Sequence, residues 1–280
     1  MSDFLFTLSF SVIPLLTVLT FALMLPAIGT TLSLRNEILL GIALPPLGTA
    51  VMAIAIFLGV SPDSTVSLYL ITAGGLLLML YFMPDKQAQI SSIRRREQTL
   101  AALFCGANAF TIFFMAMSGH AESRFHYLLQ GEMLAVTSSE LIFTLVCCTF
   151  FSLLFFSFRG AVYALCLDQQ QLAVKQHYYK LILNVYRVIT VLVITGSIIL
   201  VGPLLTASML ILPPFLIEKR SRGLDSFLMV AVAVSVLSVF AGFGMSIVVD
   251  LPPAPIIIIS LLTVCALWSV WKRILTKNRS

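Results

Sequence analysis

The sequence predicts an all-α, polytopic bundle of transmembrane helices with eight or nine spans, on three observations. Hydrophobic residues make up 59% of the 280-residue chain, charged residues make up only 10%, and the mean hydropathy is +1.04. A soluble chain is roughly half apolar and about a quarter charged. The apolar residues also form runs near the ~20 residues that cross the hydrocarbon as a helix. The bilayer is the expected solvent, and a soluble, disordered, collagenous or coiled-coil chain is excluded.

Nine apolar runs follow one another along the chain. They are Phe4–Leu25, Ile38–Val60, Val66–Met83, Thr99–Met117, Leu141–Phe158, Leu181–Val201, Pro203–Ile217, Phe227–Val249 and Ile256–Trp271. The seventh run is short, begins at Gly202-Pro203 and ends at Pro213-Pro214, so it is either a crossing or a half-helix or re-entrant segment. Broken backbone of that kind occurs in membranes only inside protein or along a cavity.

The basic residues predict how these runs are oriented. The net charge of +5 is spread over short clusters between the runs, so no nucleic-acid partner is expected. With the N-terminus outside and the C-terminus in the cytoplasm, Arg124 is the only one of the 17 Lys and Arg residues on the outer side. Arg187 lies inside the sixth run and counts weakly. The positive-inside rule therefore favours nine crossings, and eight plus a re-entrant piece is nearly as well supported.

Sequence motifs of enzymes are missing. The chain has no GxxxxGK[ST] phosphate loop, no HExxH, no GxSxG and no GxGxxG between a strand and a helix. Mid-span positions carry Ser, Thr and Cys without a charge to activate them, and the five cysteines lack the spacing of a zinc site. No internal repeat or long linker is visible. Residues 1–280 are therefore predicted to form one membrane domain without catalytic activity.

The polar stretch between the fifth and sixth runs is predicted to contain a short amphipathic helix, residues 166–178. Asp168 caps its N-terminus, where an acidic side chain meets free backbone N–H groups, and Leu172 and Ala173 supply an apolar patch. Two interpretations are equally supported from the residues alone. The segment either docks on a soluble partner or is a solvated loop between spans.

Ionisable residues on the opposite side are candidate ligands for a cation. Glu132, Glu140 and Asp250 offer carboxylate oxygens, and His120 and His126 offer imidazole nitrogens. Hydration at the end of a span is the simpler interpretation of each residue, and Asp250 is equally well explained as a helix cap.

Four segments resemble, in the same order, the membrane permease of zinc and manganese ABC importers, most closely the zinc-uptake permeases of Gram-negative bacteria. They are GEMLAVTSSEL (Gly131–Leu141), DQQQLAVKQ (Asp168–Gln176), VGPLLTASMLILPP (Val201–Pro214) and the turn from Ser246 to Asp250-Leu-Pro. The first and third are unusual strings at the right separation. Together the segments cover most of the chain after about Tyr127.

The resemblance implies a homodimeric permease of the cobalamin-importer-like architecture in the bacterial inner membrane, surrounded by lipid. It implies a separate cytoplasmic ATPase, a periplasmic or extracellular protein that delivers the metal, and no cofactor in this chain, because the partner uses the ATP. It also assigns the 166–178 helix to coupling in a cleft of the ATPase. The coupling residues are then Asp168, Gln171, Leu172, Ala173, Lys175 and Gln176.

The N-terminal half departs from the family pattern. The family carries a Gly-Asp-Ala-x-x-His-like motif at the start of the second span, where this chain has Gly41-Ile-Ala-Leu-Pro-Pro46. The Asp falls on Ile42 and the His on Pro46, and neither side chain binds a cation. Gln176 likewise stands where the family favours Gly. Either the metal passes other groups, such as Glu132, Glu140 and Asp250, or this is a divergent branch with a different cargo.

The expected function is therefore that of a permease subunit of an ABC importer for a divalent metal ion, zinc first and manganese or iron next, working by alternating access. The alternatives are a non-conducting structural or regulatory subunit and a divergent permease with a non-metal cargo. A stand-alone secondary transporter would require a carboxylate in the middle of the membrane, and no predicted span contains one.

Overall fold

The computed structural model describes residues 2–60, 64–82, 90–117, 138–157, 160, 176–217 and 224–277. Within these ranges the fold is entirely helical. The helices are α1 (Ser2–Leu34), α2 (Ile38–Phe57), α3 (Thr65–Phe82), α4 (Ile90–Met117), α5 (Ser138–Ser157), α6 (Gln176–Leu200), α7 (Pro203–Ile217), α8 (Leu224–Val249) and α9 (Pro253–Lys277). Each predicted apolar run corresponds to one of them, so the predicted helical bundle is confirmed.

Length and composition qualify six stretches of the described chain to cross a membrane. They are Val12–Leu34, Ile38–Phe57, Thr65–Phe82, Arg95–Met117, Leu181–Leu200 and Asp225–Val249. Thr144–Leu153, Pro203–Phe215 and Pro253–Trp268 are shorter apolar helices. At ~1.5 Å per residue, the 15 residues of α7 extend about 22 Å, which is less than the ~30 Å hydrocarbon thickness.

The largest differences from the predicted boundaries are at the end of α1 and at the start of α4. The first run was predicted to end at Leu25, yet α1 continues through Pro26 to Leu34, because neighbouring helices of a membrane bundle compensate for an interior proline. α4 begins at Ile90 rather than at Thr99, so Arg96 lies within a helix and not in a preceding loop.

α7 begins directly after α6 at a sharp turn. Gly202 adopts the left-handed conformation (φ 94°), and its N–H donates to the carbonyl oxygen of Ser197. Pro203 then occupies the first helical position, where a missing N–H costs nothing. α7 continues through Pro213 and Pro214 to Ile217, the predicted end of the seventh run. The helix still remains short.

α1 and α7 form the centre of the bundle. α1 packs against α2, α5, α6, α7 and α8, while α7 packs against α1, α2, α6, α8 and α9. α3 lies against α2 and α6, and α4 lies against α2. The largest fully buried side chains come mainly from the two central helices and from α6. They are Phe21, Leu25, Ile28, Leu32, Leu44, Leu76, Met115, Ile194, Ile198, Leu205 and Met209.

Glycines set the distance between the central helices. A Cβ at Gly29 of α1 would overlap the carbonyl oxygen of Leu210 in α7. That carbonyl lacks its usual N–H donor four residues on, because Pro214 occupies the position. A Cβ at Gly242 of α8 would lie 2.6 Å from the Cα of Ile257 in α9. Close backbone contact through small residues is how helices associate in lipid, where the hydrophobic effect between helices is absent.

We predict opposite effects for two glycine-to-alanine substitutions. Gly29→Ala should lower the midpoint of thermal unfolding in detergent by roughly 5 °C, because overpacking costs ~1–3 kcal/mol and this shifts Tm by ~2–4 °C per kcal/mol. Gly244→Ala is the matched control, since a Cβ there meets nothing within 4 Å. It should leave the midpoint unchanged or raise it, as Ala favours the helix. Equal midpoints for the two variants would contradict the assigned α1–α7 contact.

Candidate functional site

Most of the predicted ligand and coupling residues lie outside the described residues. This holds for His120, His126, Glu132, Asp168, Gln171, Leu172, Ala173 and Lys175. Glu140 belongs to the first turn of α5. Gln176 is the first residue of α6, so the predicted coupling helix, which was drawn to residue 178, overlaps the start of that helix by three residues. These roles remain predictions.

Asp250 ends α8 in an exposed turn. It adopts the left-handed conformation with φ 55°, and the next N–H, that of Leu251, donates to the carbonyl oxygen of Ser246 at 3.3 Å. The Ser246 hydroxyl donates to the carbonyl oxygen of Leu251 at 2.6 Å. This is a helix C-terminal turn of the kind that usually uses glycine. Ser246 thus belongs to the turn that the family resemblance includes, and a Cβ at the nearby Gly244 would meet open space.

The family's metal-ligand positions in α2 are apolar. Ile42 and Pro46 are one helical turn apart, so they share a face, and both are partly exposed. Pro45 and Pro46 remove the N–H groups that would bond to the carbonyls of Gly41 and Ile42. Around Ile42 and Pro46, the polar atoms that α2 offers are its backbone carbonyl oxygens. Among the described residues, no group of three or more His, Cys, Asp and Glu is positioned to hold a metal ion.

The densest charged arrangement among the described side chains involves residues that sequence reasoning did not combine. Glu37 accepts a hydrogen bond from Arg96 Nη1 at Oε1 (2.9 Å) and lies 3.2 Å, at Oε2, from Arg35 Nε. Arg35 Nη2 donates to Glu37 Oε1 at 3.4 Å. All three side chains are nine-tenths or more buried, with exposed fractions of 5% to 7%. We call Arg35, Glu37 and Arg96 the charge cluster, and we call the end of the bundle that contains it the charged end.

The short connection between α1 and α2 places two members of the cluster. The N–H groups of Arg35 and Glu37 donate to the carbonyls of Thr31 and Leu32, so the connection stays tied to the last turn of α1. Asn36 adopts φ 53°, a left-handed conformation that Asn tolerates better than most residues. Only three residues separate the two helices, so the connection keeps both charged side chains against the bundle, where they are buried.

Tyr186 of α6 connects the charge cluster to a fourth helix. Its hydroxyl is 2.6 Å from the Thr31 hydroxyl, and the Arg35 guanidinium carbon lies 5.4 Å from the centre of its ring. A cation over an aromatic face at this distance is attracted by the ring quadrupole, more strongly when both groups are shielded from water. Tyr186 is 5% exposed. The charged end thus joins α1, α2, α4 and α6 through named polar contacts.

A cleft of about 190 Å³ lies beside the charge cluster. Its polar wall consists of Asn36, Glu37, Arg96 and Glu97, and its apolar wall consists of Ile38, Leu39, Leu40 and Leu100. Glu97 is exposed, in contrast to the buried Glu37. The cleft gives the charged end a surface that is polar on one side and apolar on the other.

The cluster was missed because Arg35 and Arg96 were used only as orientation signals and Glu37 was not considered. One signal was present in the sequence. Arg35 and Glu37 occupy a connection of about three residues between two apolar runs, and such a connection cannot extend far into water. Arg96, the second partner of Glu37, lies 59 residues further along the chain, and no local pattern in the sequence connects the two.

Solved structures share the fold of this chain. It resembles the solved PsaBC from Streptococcus pneumoniae in complex with Fab, with a TM-score of 0.72 at 16% identity over 91% of this chain and 88% of that chain. It also resembles a structure described as an inward-facing metal-chelate type ABC transporter, with a TM-score of 0.67 at 17% identity over 93% and 86% of the two chains. At these identities the likeness establishes the fold.

The sequence profile of the ABC 3 transport family matches residues 7–273, and the chain belongs to that family. It is therefore a transport protein rather than an enzyme, and a multi-pass protein of the bacterial plasma membrane. A curated relative is the high-affinity zinc uptake system membrane protein ZnuB of Buchnera aphidicola subsp. Acyrthosiphon pisum. It is 25% identical over 164 residues, which cover 58% of this chain and 62% of the relative's length. The resemblance to metal importer permeases is confirmed.

We predict that removal of the Glu37 charge destabilises the protein far more than removal of the Glu97 charge. Glu37→Gln removes the negative charge that two buried guanidinium groups share, which costs about 3–5 kcal/mol and should lower Tm by roughly 10 °C. Glu97→Gln, on the same cleft but exposed, should shift Tm by about 1 °C or less. Thermal unfolding of both purified variants in one detergent measures the difference. Similar midpoints would refute the buried ion pairs.

Proposed function

We propose that this chain is the permease subunit of an importer for a divalent metal ion, with zinc as the first cargo and manganese or iron next. The family match over residues 7–273 carries the proposal. The relative named as a zinc uptake membrane protein supports zinc, and the absence of a phosphate-binding loop from the sequence supports a separate ATPase. A second copy of this chain and an external metal-binding protein complete the proposed assembly. No cofactor is proposed for this chain.

The proposed transport mechanism is alternating access. ATP binding and hydrolysis in the partner shift the permease between an outward-open and an inward-open state, and the cargo moves because its affinity differs between the two states. The charged end contains the basic residues of the α1–α2 connection and of the start of α4. We propose that it faces the cytoplasm, the side on which the positive-inside rule places basic residues.

Cargo contact in this chain differs from the family pattern. Because Ile42 and Pro46 offer no ligand atoms, we propose that the cation meets the backbone carbonyls of Gly41 and Ile42 instead. Carboxylates at the outer mouth, for which Glu132 and Asp250 are candidates, add oxygen ligands. Oxygen ligands suit manganese better than zinc, so the cargo test includes both ions.

A non-conducting structural or regulatory subunit is the second candidate. One observation favours it, namely the apolar side chains at the two positions where the family carries Asp and His. Such a subunit keeps the fold and the ATPase interface and transports nothing. Uptake measurements separate the two candidates.

Uptake by the reconstituted complex tests the proposal. The chain, its ATPase and its binding protein are placed in proteoliposomes, and accumulation of radioactive zinc, manganese and iron is measured with and without ATP. We expect ATP-dependent accumulation of at least one ion, lost when the ATPase carries a substitution that blocks hydrolysis. A stable complex that hydrolyses ATP and accumulates none of the three ions would contradict the metal permease and support the second candidate.

A point substitution tests the proposed coupling segment. Leu172→Glu places a charge in its apolar patch and should abolish co-purification with the ATPase, because a desolvated charge opposes docking. Leu129→Glu, the same change in the segment predicted on the opposite side, is the matched control and should leave the complex intact. Retention of the ATPase by Leu172→Glu would show that another segment makes the interface.

A further inference from the structure

α6 begins where the proposed coupling segment ends. Gln176 is the first residue of the helix, and the last three residues of the 166–178 segment belong to it. Tyr186 lies ten residues further along α6, or about 15 Å at ~1.5 Å per residue. One continuous helix therefore connects Gln176 to Tyr186.

Tyr186 contacts α1 and the connection that follows it in two ways. Its hydroxyl is 2.6 Å from that of Thr31, and its ring lies against the Arg35 guanidinium at 5.4 Å. Thr31 is 1% exposed and Tyr186 is 5% exposed, so water does not compete for either contact. The first contact depends on the hydroxyl and the second depends on the ring, which makes them separable by substitution.

The charge cluster connects Arg35 to the start of α2 and to α4. Arg35 is paired with Glu37, the residue that immediately precedes α2, and Glu37 is also paired with Arg96 of α4. Separating buried charges leaves each without its counter-charge, which is strongly unfavourable, so the cluster moves as a unit. Five residues beyond Glu37, α2 presents Ile42 at the family's ligand position.

We propose that Tyr186 and the charge cluster form a link that transmits motion from the coupling segment to α2. This inference rests on the proposed function, since it presumes an ATPase partner at the coupling segment. Tyr186 is a positioning residue in this scheme and does not touch the cargo. The contacts follow one continuous path: Gln176 to Tyr186 along α6, Tyr186 to Arg35, Arg35 to Glu37, and Glu37 into α2.

Tyr69 supplies a matched control. Its hydroxyl donates to the carbonyl oxygen of Leu192 in α6 at 2.9 Å, so it joins α3 to α6 as the Tyr186 hydroxyl joins α6 to α1. It lies on α3, outside the path from Tyr186 through the charge cluster to α2. Tyr69→Phe therefore removes a hydroxyl contact to α6 without interrupting the path.

The first experiment measures metal accumulated per ATP hydrolysed in proteoliposomes. Tyr186→Leu should keep the ATPase bound and hydrolysing while accumulation per ATP falls about tenfold. Tyr186→Phe and Thr31→Val both remove the Tyr186–Thr31 hydroxyl contact and keep the tyrosine ring or its partner Arg35, so each should give a smaller loss; Thr31→Val also removes the Thr31 hydrogen bond to the Ile28 carbonyl. Tyr69→Phe should match the wild type. An unchanged ratio in Tyr186→Leu would overturn the link, as would an equal fall in hydrolysis and uptake, which indicates a purely structural role.

The second experiment does not depend on the cargo. Leu39→Cys, at a partly exposed position of α2 beside the cluster, is introduced into a version without the five native cysteines and labelled with a maleimide. The labelling rate in the ATPase complex should change when ATP and vanadate are added, and Tyr186→Leu should abolish that change. A change that persists in Tyr186→Leu, or one that is missing in the parent, would refute the link even if the metal uptake proposal fails.

Discussion

The carboxylate of Glu37 controls the charged end of the bundle. Two guanidinium groups share it, one from the α1–α2 connection and one from α4. Moving such charges out of water is costly, and the pairs offset that cost only while all three stay together. In a chain with 10% charged residues, the cluster therefore determines how α1, α2 and α4 meet.

Glycine and proline determine the centre of the bundle in a complementary way. Pro214 deprives the Leu210 carbonyl of its helical donor, and Gly29 allows α1 to approach that same carbonyl. Pro45 and Pro46 free two further carbonyls in α2. Unpaired backbone oxygens are tolerated at membrane depth only inside protein or along a cavity. The prolines thus place polar atoms in the bundle interior without any charged side chain.

The sequence predicted the fold well because hydropathy depends on composition along the chain. The nine apolar runs all correspond to described helices, and the α7 boundaries agree at both ends. Hydropathy does not identify neighbours, however. It could not show that Pro26 leaves α1 intact or that Arg96 is buried against Glu37, since both facts depend on residues distant in sequence. The candidate ligands Glu132 and His126 stay predictions. At Ile42 and Pro46 the chain lacks the metal-binding side chains that the family carries at those positions.

Structures of the ATPase complex in two nucleotide states test the path from α6 to α2. Cryo-electron microscopy would compare the nucleotide-free complex with the complex trapped by ATP and vanadate. We expect Tyr186, Arg35, Glu37 and Arg96 to keep their contacts in both states while α6 and the start of α2 shift together. Separation of Tyr186 from Arg35, or movement of α6 with α2 stationary, would contradict it.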